Sequence, residues 1–139
     1  MTKAFVNHAR MKKAQPVPTP AELDILHTVW RLGAATVRQI HNAMLAERDD
    51  DRGYSTTLKL MQIMTEKGLI ERDDSVRPQL YRAAQPREAV EGQMLADLKQ
   101  RAFGGSASRL VMRALATEKI TAKDRDRIEE LLAKMERSR

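Results

Sequence analysis

A run of polar side chains over residues 53–67 has the chemistry needed to hydrogen-bond to nucleic acid. The less polar residues of this segment recur at i, i+3, i+4 and i+7, which predicts one buried face of a helix. That face comprises Thr57, Leu60, Met61 and Met64. Hydroxyl, ammonium and amide groups lie outside it, and such groups bind base edges and phosphates in a major groove. They belong to Ser55, Thr56, Lys59 and Gln62. An ordinary solvated helix would show the same pattern, so both interpretations stay open on this helix alone.

A basic β-hairpin is predicted directly after this helix. Gly68 follows Lys67, at a position where a left-handed residue ends a helix at little cost. Two short β-prone runs come next, at residues 69–72 and 79–83, and the charged turn sequence DDSVRP separates them. A cationic side chain at the tip of such a hairpin can contact the DNA backbone beside a helix that lies in the groove.

Two capping boxes mark the helices that must position this segment. Thr19 and Glu22 form the first box. Thr36 and Gln39 form the second, after a short extended link at residues 34–35. The resulting order of helix, link, helix, helix and hairpin is that of a winged helix-turn-helix. The predicted fold is therefore mainly α, with a small β-hairpin wing.

Four stretches of the chain resemble the penicillinase-repressor family, the BlaI/MecI/CopY group of bacterial transcriptional repressors. They are ELDILHTVW, ATVRQIHNAM, YSTTLKLMQIMTEKGLIER and the wing ending in QLYR. The resemblance extends over residues 18–137 and implies a homodimer that binds an inverted-repeat operator and blocks transcription. It also implies that Thr56, Lys59 and Gln62 face the groove and that Arg77 contacts phosphates from the wing. The complete candidate DNA interface comprises Ser55, Thr56, Lys59, Gln62, Arg77 and Arg38.

Three departures from the family's pattern concern induction and operator choice. Copper-sensing members carry cysteine pairs near the C-terminus, and this chain has no cysteine, which excludes a copper–thiolate switch. Antibiotic-responsive members are cut at an Asn-Phe bond, where this chain has Arg113 and Ala114. A regulatory protease stays a candidate partner, but a β-lactam response does not carry over. Ile63 stands where relatives often have an arginine, which leaves the operator sequence open.

The composition favours a polyanionic partner. The 139 residues include 25 Lys and Arg against 19 Asp and Glu, a formal charge of +6. Residues 1–17 contain basic side chains and no acidic one, and we predict a basic, flexible arm there. Such an arm either follows the DNA backbone or is a loose tail. Its basic residues are Lys3, Arg10, Lys12 and Lys13.

The sequence has no motif for catalysis, a cofactor or a metal. Its three histidines, His8, His27 and His41, lack the spacing of a metal site. There is no phosphate-binding glycine loop and no Gly-x-Ser-x-Gly motif. No apolar run reaches the roughly 18 residues that span a bilayer. We therefore expect a cytoplasmic protein without a cofactor, a membrane segment or enzymatic activity.

Three amphipathic helices are predicted over residues 85–139, which we expect to mediate dimerisation. Ser106 and Thr121 are placed to cap the second and third of these helices. Their apolar stripes are too large to be covered within so short a segment, so a partner chain is the natural cover. The predicted dimer interface comprises Leu110, Val111, Ile128, Leu131, Leu132 and Met135. The alternative is an intramolecular three-helix cap on the winged-helix domain, which we place at residues 18–84.

Two other functions are compatible with the residues. A winged helix can serve as a protein-interaction module without touching DNA, although the basic wing and arm argue against this. A regulator opened by a small ligand would need a pocket, and the two Phe, two Tyr and one Trp offer few aromatic walls for one.

Overall fold

The computed structural model describes residues 5–6, 17–47 and 52–138. Helices predominate, and the first three helices followed by a hairpin have the order of a winged helix, so the predicted fold class is confirmed. The basic side chains of the predicted N-terminal arm lie outside the described residues. The elements are β1 (Phe5–Val6), α1 (Pro20–Leu32), α2 (Val37–Glu47), α3 (Tyr54–Lys67), β2 (Ile70–Asp73), β3 (Leu80–Ala83), α4 (Arg87–Phe103), α5 (Ala107–Thr117) and α6 (Ala122–Arg137).

The predicted helix ends are confirmed in α1, α2 and α3. At α1 the Thr19 hydroxyl accepts a hydrogen bond from the Glu22 N–H (3.2 Å), and the Glu22 carboxylate accepts one from the Thr19 N–H (2.9 Å). Thr36 and Gln39 make the same reciprocal pair at the start of α2. These contacts satisfy N–H groups that have no partner inside the helix. After α3, Gly68 has a φ of 83°, the left-handed conformation that glycine adopts without steric cost.

The core of the winged helix is formed by one face each of α1, α2 and α3 and by the inner residues of the wing. Met61 and Met64 of α3 are fully buried, whereas Leu60, predicted on the same face, is only partly buried. Full burial of such a side chain contributes roughly 1.5–3 kcal/mol, so this face fixes which side of α3 is left for other contacts. The buried apolar residues are Ile25, Leu26, Val29, Ala35, Val37, Ile40, Met44, Met61, Met64, Leu69, Ile70, Tyr81 and Val90.

The wing is an antiparallel hairpin in which β2 pairs with β3 and Arg72 lies opposite Tyr81. Each strand begins one residue later than the sequence pattern predicts. The predicted extended link is confirmed, because Ala35 and Tyr81 exchange backbone hydrogen bonds of 3.0 and 2.8 Å. These bonds tie the entrance of α2 to the wing. At the other edge of β2, β1 adds a short third strand that the sequence pattern did not predict.

The chain divides into two compact units, residues 1–95 and 96–139. In the first unit, α4 contributes Val90 to the winged-helix core, where it is only 4% exposed. Met94 of α4 is partly buried and packs against the same core. The Trp30 indole N–H also donates to the Gln85 carbonyl (3.0 Å), which holds the start of α4 beside α1.

In the second unit, the predicted caps of α5 and α6 are confirmed. The Ser106 hydroxyl accepts a hydrogen bond from the Arg109 N–H, and the Thr121 hydroxyl accepts one from the Asp124 N–H.

Over the ranges that the structure describes, no helix is both long enough and apolar enough to cross a membrane.

Candidate nucleic-acid interface

α3 has a buried face and an exposed polar face. Its buried side chains include Thr57, Met61 and Met64. Residues three and four positions apart are neighbours on a helix surface, so the predicted polar side chains share one exposed surface around Lys59. This surface presents two hydroxyls, an ammonium and an amide. The residues concerned are Ser55, Thr56, Lys59 and Gln62, all of them exposed.

The first turn of α3 has no side-chain cap from its N-cap residue. Its N-cap residue, Gly53, has no side-chain acceptor, and the turn contains no acidic residue. N–H groups at a helix start without such an acceptor can bind a phosphate oxygen. The helices α1 and α2 differ, because the Thr19 and Thr36 hydroxyls accept hydrogen bonds at their starts.

A buried hydrogen bond ties α3 to α2. The Thr57 hydroxyl lies 2.8 Å from His41 Nδ1, and the two side chains are only 0% and 5% exposed. A buried polar group is costly without a partner, so this pair favours one rotation of α3 about its own axis. His41 therefore has a structural role: its contact with Thr57 helps to fix the orientation in which α3 presents its polar face.

Arg38, the predicted DNA-binding residue of α2, lies against the start of α3. Its guanidinium carbon is 3.9 Å from the centroid of the Tyr54 ring, which is a cation–π distance. The Tyr54 ring in turn meets the His41 ring edge to face, with centroids 5.6 Å apart. Tyr54 was not among the residues predicted from the sequence to bind DNA. A contact between residues on two different helices has no local spacing that would reveal it.

The carboxylates of the wing tip are engaged within the wing. Asp73 Oδ1 accepts hydrogen bonds from the Ser75 hydroxyl (2.6 Å) and the Ser75 N–H (2.9 Å), which hold the pKa of Asp73 below its ordinary value. Asp74 pairs with Arg72 at 2.6 Å and accepts a hydrogen bond from the Gln79 amide. The hydrogen bond to Asp74 raises the pKa of Arg72. The acidic groups of the turn are therefore directed toward the wing's own donors.

Arg77, the predicted phosphate-binding residue of the wing, is exposed at the wing tip. Its Nη1 donates to the carbonyl oxygens of Asp74 (2.8 Å) and Val76 (3.1 Å). A guanidinium carries five N–H donors on three nitrogens. Anchoring through Nη1 therefore fixes the charge at the tip while Nε and Nη2 can still donate to a phosphate.

A cleft of about 200 Å³ lies where the start of α2, the start of α3 and the wing meet. Arg38 lies on its α2 side, and Pro78, the residue after Arg77, lies on its wing side. The structure therefore brings Arg38 and the wing together around the start of α3. The cleft is smaller than the roughly 300–1,000 Å³ of typical small-ligand sites. Its lining residues are Thr36, Val37, Arg38, Tyr54, Leu58, Pro78, Gln79 and Tyr81.

The six residues of the predicted dimer interface lie on α5 and α6, two helices that bury no residue. Four of them are between 50% and 58% exposed: Val111, Leu131, Leu132 and Met135. Leu110 and Ile128 are partly exposed. An apolar surface of this kind is available to a partner.

Metal-binding side chains are not clustered over the ranges that the structure describes: no three His, Cys, Asp or Glu residues there are arranged to hold an ion.

A winged helix whose third helix leaves a polar face uncovered is the architecture of a DNA-binding regulator. The family model described as penicillinase repressor matches residues 18–134. The chain belongs to this family, whose members are DNA-binding transcriptional repressors, and the resemblance noted in the sequence is confirmed. Comparison with curated proteins gives no match.

Proposed function

We propose that this protein is a homodimeric repressor that binds an inverted-repeat operator and blocks transcription from the adjoining promoter. The observation that carries the proposal is the exposed polar face of α3, with Arg38 and the wing beside the start of that helix. The proposed site of action is the cytoplasm, because the target is promoter DNA.

In the proposed complex, α3 lies in the major groove. Lys59 can donate to the O6 and N7 acceptors of guanine, and the Gln62 amide can pair with adenine through two hydrogen bonds. The hydroxyls of Ser55 and Thr56 reach base edges or phosphates. Contacts to bases carry the sequence preference, whereas contacts to phosphates fix the position of the protein and strengthen binding to any duplex.

The phosphate contacts are assigned to Arg38 and Arg77. Arg38 lies over the ring of Tyr54, the first residue of α3, and Arg77 is anchored at the wing tip. Each phosphate contact displaces condensed counterions, so each makes binding more sensitive to salt by about one unit of the logarithmic slope.

The proposed dimer interface is the apolar surface of α5 and α6. Full burial of a leucine or methionine contributes roughly 1.5–3 kcal/mol, and a two-fold interface uses each residue twice. Such a dimer presents two α3 helices about one DNA turn, or a multiple of it, apart, which an inverted repeat requires.

The dimer is tested by sedimentation of Leu131→Glu against a matched control, Leu45→Glu. Both leucines are exposed in the single chain, at 58% and 43%, but Leu45 lies on α2. We expect the Leu131 variant to be monomeric and the Leu45 variant to remain dimeric. A monomeric wild-type protein would favour the intramolecular helical cap, and a Leu131→Glu variant that stays dimeric would remove Leu131 from the interface.

Relief of repression is proposed to act on the C-terminal region through a regulatory protease. The Arg113–Ala114 bond, which takes the place of the family's Asn-Phe pair, lies within α5, and both residues are exposed. Cleavage there would separate α6 from the winged helix and weaken the dimer. The test is to replace Arg113 with Ala and measure whether derepression in cells is lost. Unaltered derepression would place the cut, or the signal, elsewhere.

DNA binding is tested by fluorescence anisotropy with the gene's own upstream promoter and a scrambled duplex, at two salt concentrations. We expect two protomers per site and a preference for the promoter that persists at the higher salt. Lys59→Ala or Gln62→Ala should reduce that preference by about 1–3 kcal/mol, whereas the control Lys119→Ala, outside α3, should not. Equal and salt-sensitive binding of the wild type to both duplexes would instead support a protein-interaction module.

A further inference from the structure

Arg38 stands at the end of a chain of contacts that begins in the buried interior. Thr57 is bonded to His41 inside the α2–α3 junction, the His41 ring meets the Tyr54 ring, and Tyr54 lies under the Arg38 guanidinium. Thr57 and His41 are buried and Tyr54 is partly buried, whereas Arg38 is exposed. The buried contacts between Thr57 and His41 therefore fix the Tyr54 ring, and that ring restrains the exposed side chain of Arg38.

We propose that Tyr54 is a positioning residue of the DNA interface: its ring holds the Arg38 guanidinium beside the start of α3, where a phosphate of the operator binds. This inference rests on the proposed function, because it assigns Arg38 to a DNA phosphate.

The position of the guanidinium over the ring suits this role chemically. A guanidinium in cation–π contact with an aromatic ring can still present N–H groups to a phosphate in a two-point contact. A free arginine side chain loses rotamer freedom when it becomes fixed on a partner. Stacking on Tyr54 orders the side chain before DNA arrives, so less affinity is lost on binding.

Tyr54 could instead contact DNA directly through its hydroxyl. The two roles differ in what a phenylalanine can replace, because the benzene ring alone supports the cation–π contact. Tyr54→Phe keeps the ring and removes the hydroxyl, whereas Tyr54→Leu removes the ring and keeps an apolar side chain.

The test is a double-mutant comparison of Tyr54→Phe, Tyr54→Leu, Arg38→Ala and the Tyr54→Leu/Arg38→Ala pair in the full-length protein, by anisotropy on promoter DNA. We expect Tyr54→Phe to bind like the wild type and Tyr54→Leu to bind about two- to fivefold more weakly. With Arg38 already removed, Tyr54→Leu should have no further effect. Equal losses for Tyr54→Phe and Tyr54→Leu, or additive losses in the pair, would overturn the proposal.

An NMR measurement on the free protein tests the same contact without DNA. The δ-methylene protons of Arg38 should be shifted upfield by the Tyr54 ring, and the shift should persist in Tyr54→Phe. An unshifted Arg38 in the wild type would overturn the inference even if DNA binding were intact. A shifted Arg38 in a protein that prefers no duplex would instead refute the proposed function.

Discussion

Replacing Thr57 by Val removes one oxygen from the interior and leaves the shape of the side chain almost unchanged. The hydroxyl lies 2.8 Å from His41 Nδ1, and either tautomer of the imidazole can be matched by a hydroxyl, which both donates and accepts. After the substitution, the His41 nitrogen stays buried without its partner. The expected loss in free energy of unfolding is about 1–3 kcal/mol. In a domain of the size of the winged helix, a loss of about 2 kcal/mol lowers the Tm by about 8–16 °C.

Thermal and urea unfolding of three variants would measure this effect. Thr56→Val makes the same chemical change on the exposed side of the same helix, and its expected effect is within about 0.5 kcal/mol. Thr57→Val combined with His41→Leu removes both polar groups and should recover part of the loss. If Thr57→Val lowers the free energy of unfolding no more than Thr56→Val does, the buried hydrogen bond contributes nothing to the packing of α2 on α3.

Three further predictions concern the frame and the wing. Lys67→Met should lower the free energy of unfolding by about 1–3 kcal/mol, because the Lys67 ammonium lies 2.7 Å from the buried Glu22 carboxylate and is lost. The exposed Arg101–Asp97 pair provides the control. Arg101→Met should change the free energy of unfolding by less than about 1 kcal/mol. Arg77→Ala should weaken binding to any duplex and reduce the salt slope by about one unit, and an unchanged slope would exclude Arg77 from the interface. Hydrogen bonds from Ser75 lower the pKa of Asp73, so their contribution is complete above the unfolded pKa of about 3.9 and is lost as pH falls through the lower folded value. Ser75→Ala should therefore reduce the loss of stability below about pH 4, and an identical acid profile would contradict this assignment.

The helix ends were predictable because each depends on residues only a few positions apart. A threonine followed three residues later by Glu or Gln satisfies two N–H groups reciprocally, and both predicted boxes form as expected. The same holds for Gly68, whose left-handed backbone ends α3. The helical spacing of the apolar residues also predicted which side of α3 is buried. Leu60 is less buried than its position on that face suggests.

The residues that hold the candidate site were not predictable in this way. The Arg38–Tyr54 stack and the His41–Thr57 hydrogen bond each join α2 to α3 across the loop between them. Single-sequence patterns report which face of a helix is buried, but not which residues of two buried faces meet. The strand β1 was missed because its pairing with β2 joins segments far apart in sequence.

The sequence by itself determined the class of fold, the family and the polar face of α3, since these follow from local hydrogen bonding, helical periodicity and recognisable motifs. Only the tertiary structure decided that Arg38 lies on Tyr54, that Lys67 reaches the buried Glu22, and that the wing's acids bond within the wing. Contacts within one helical turn are set by the backbone geometry of that turn. Contacts between elements depend on the rotation and separation of whole helices. Close packing of side chains in the core fixes both, and that packing depends on the whole chain.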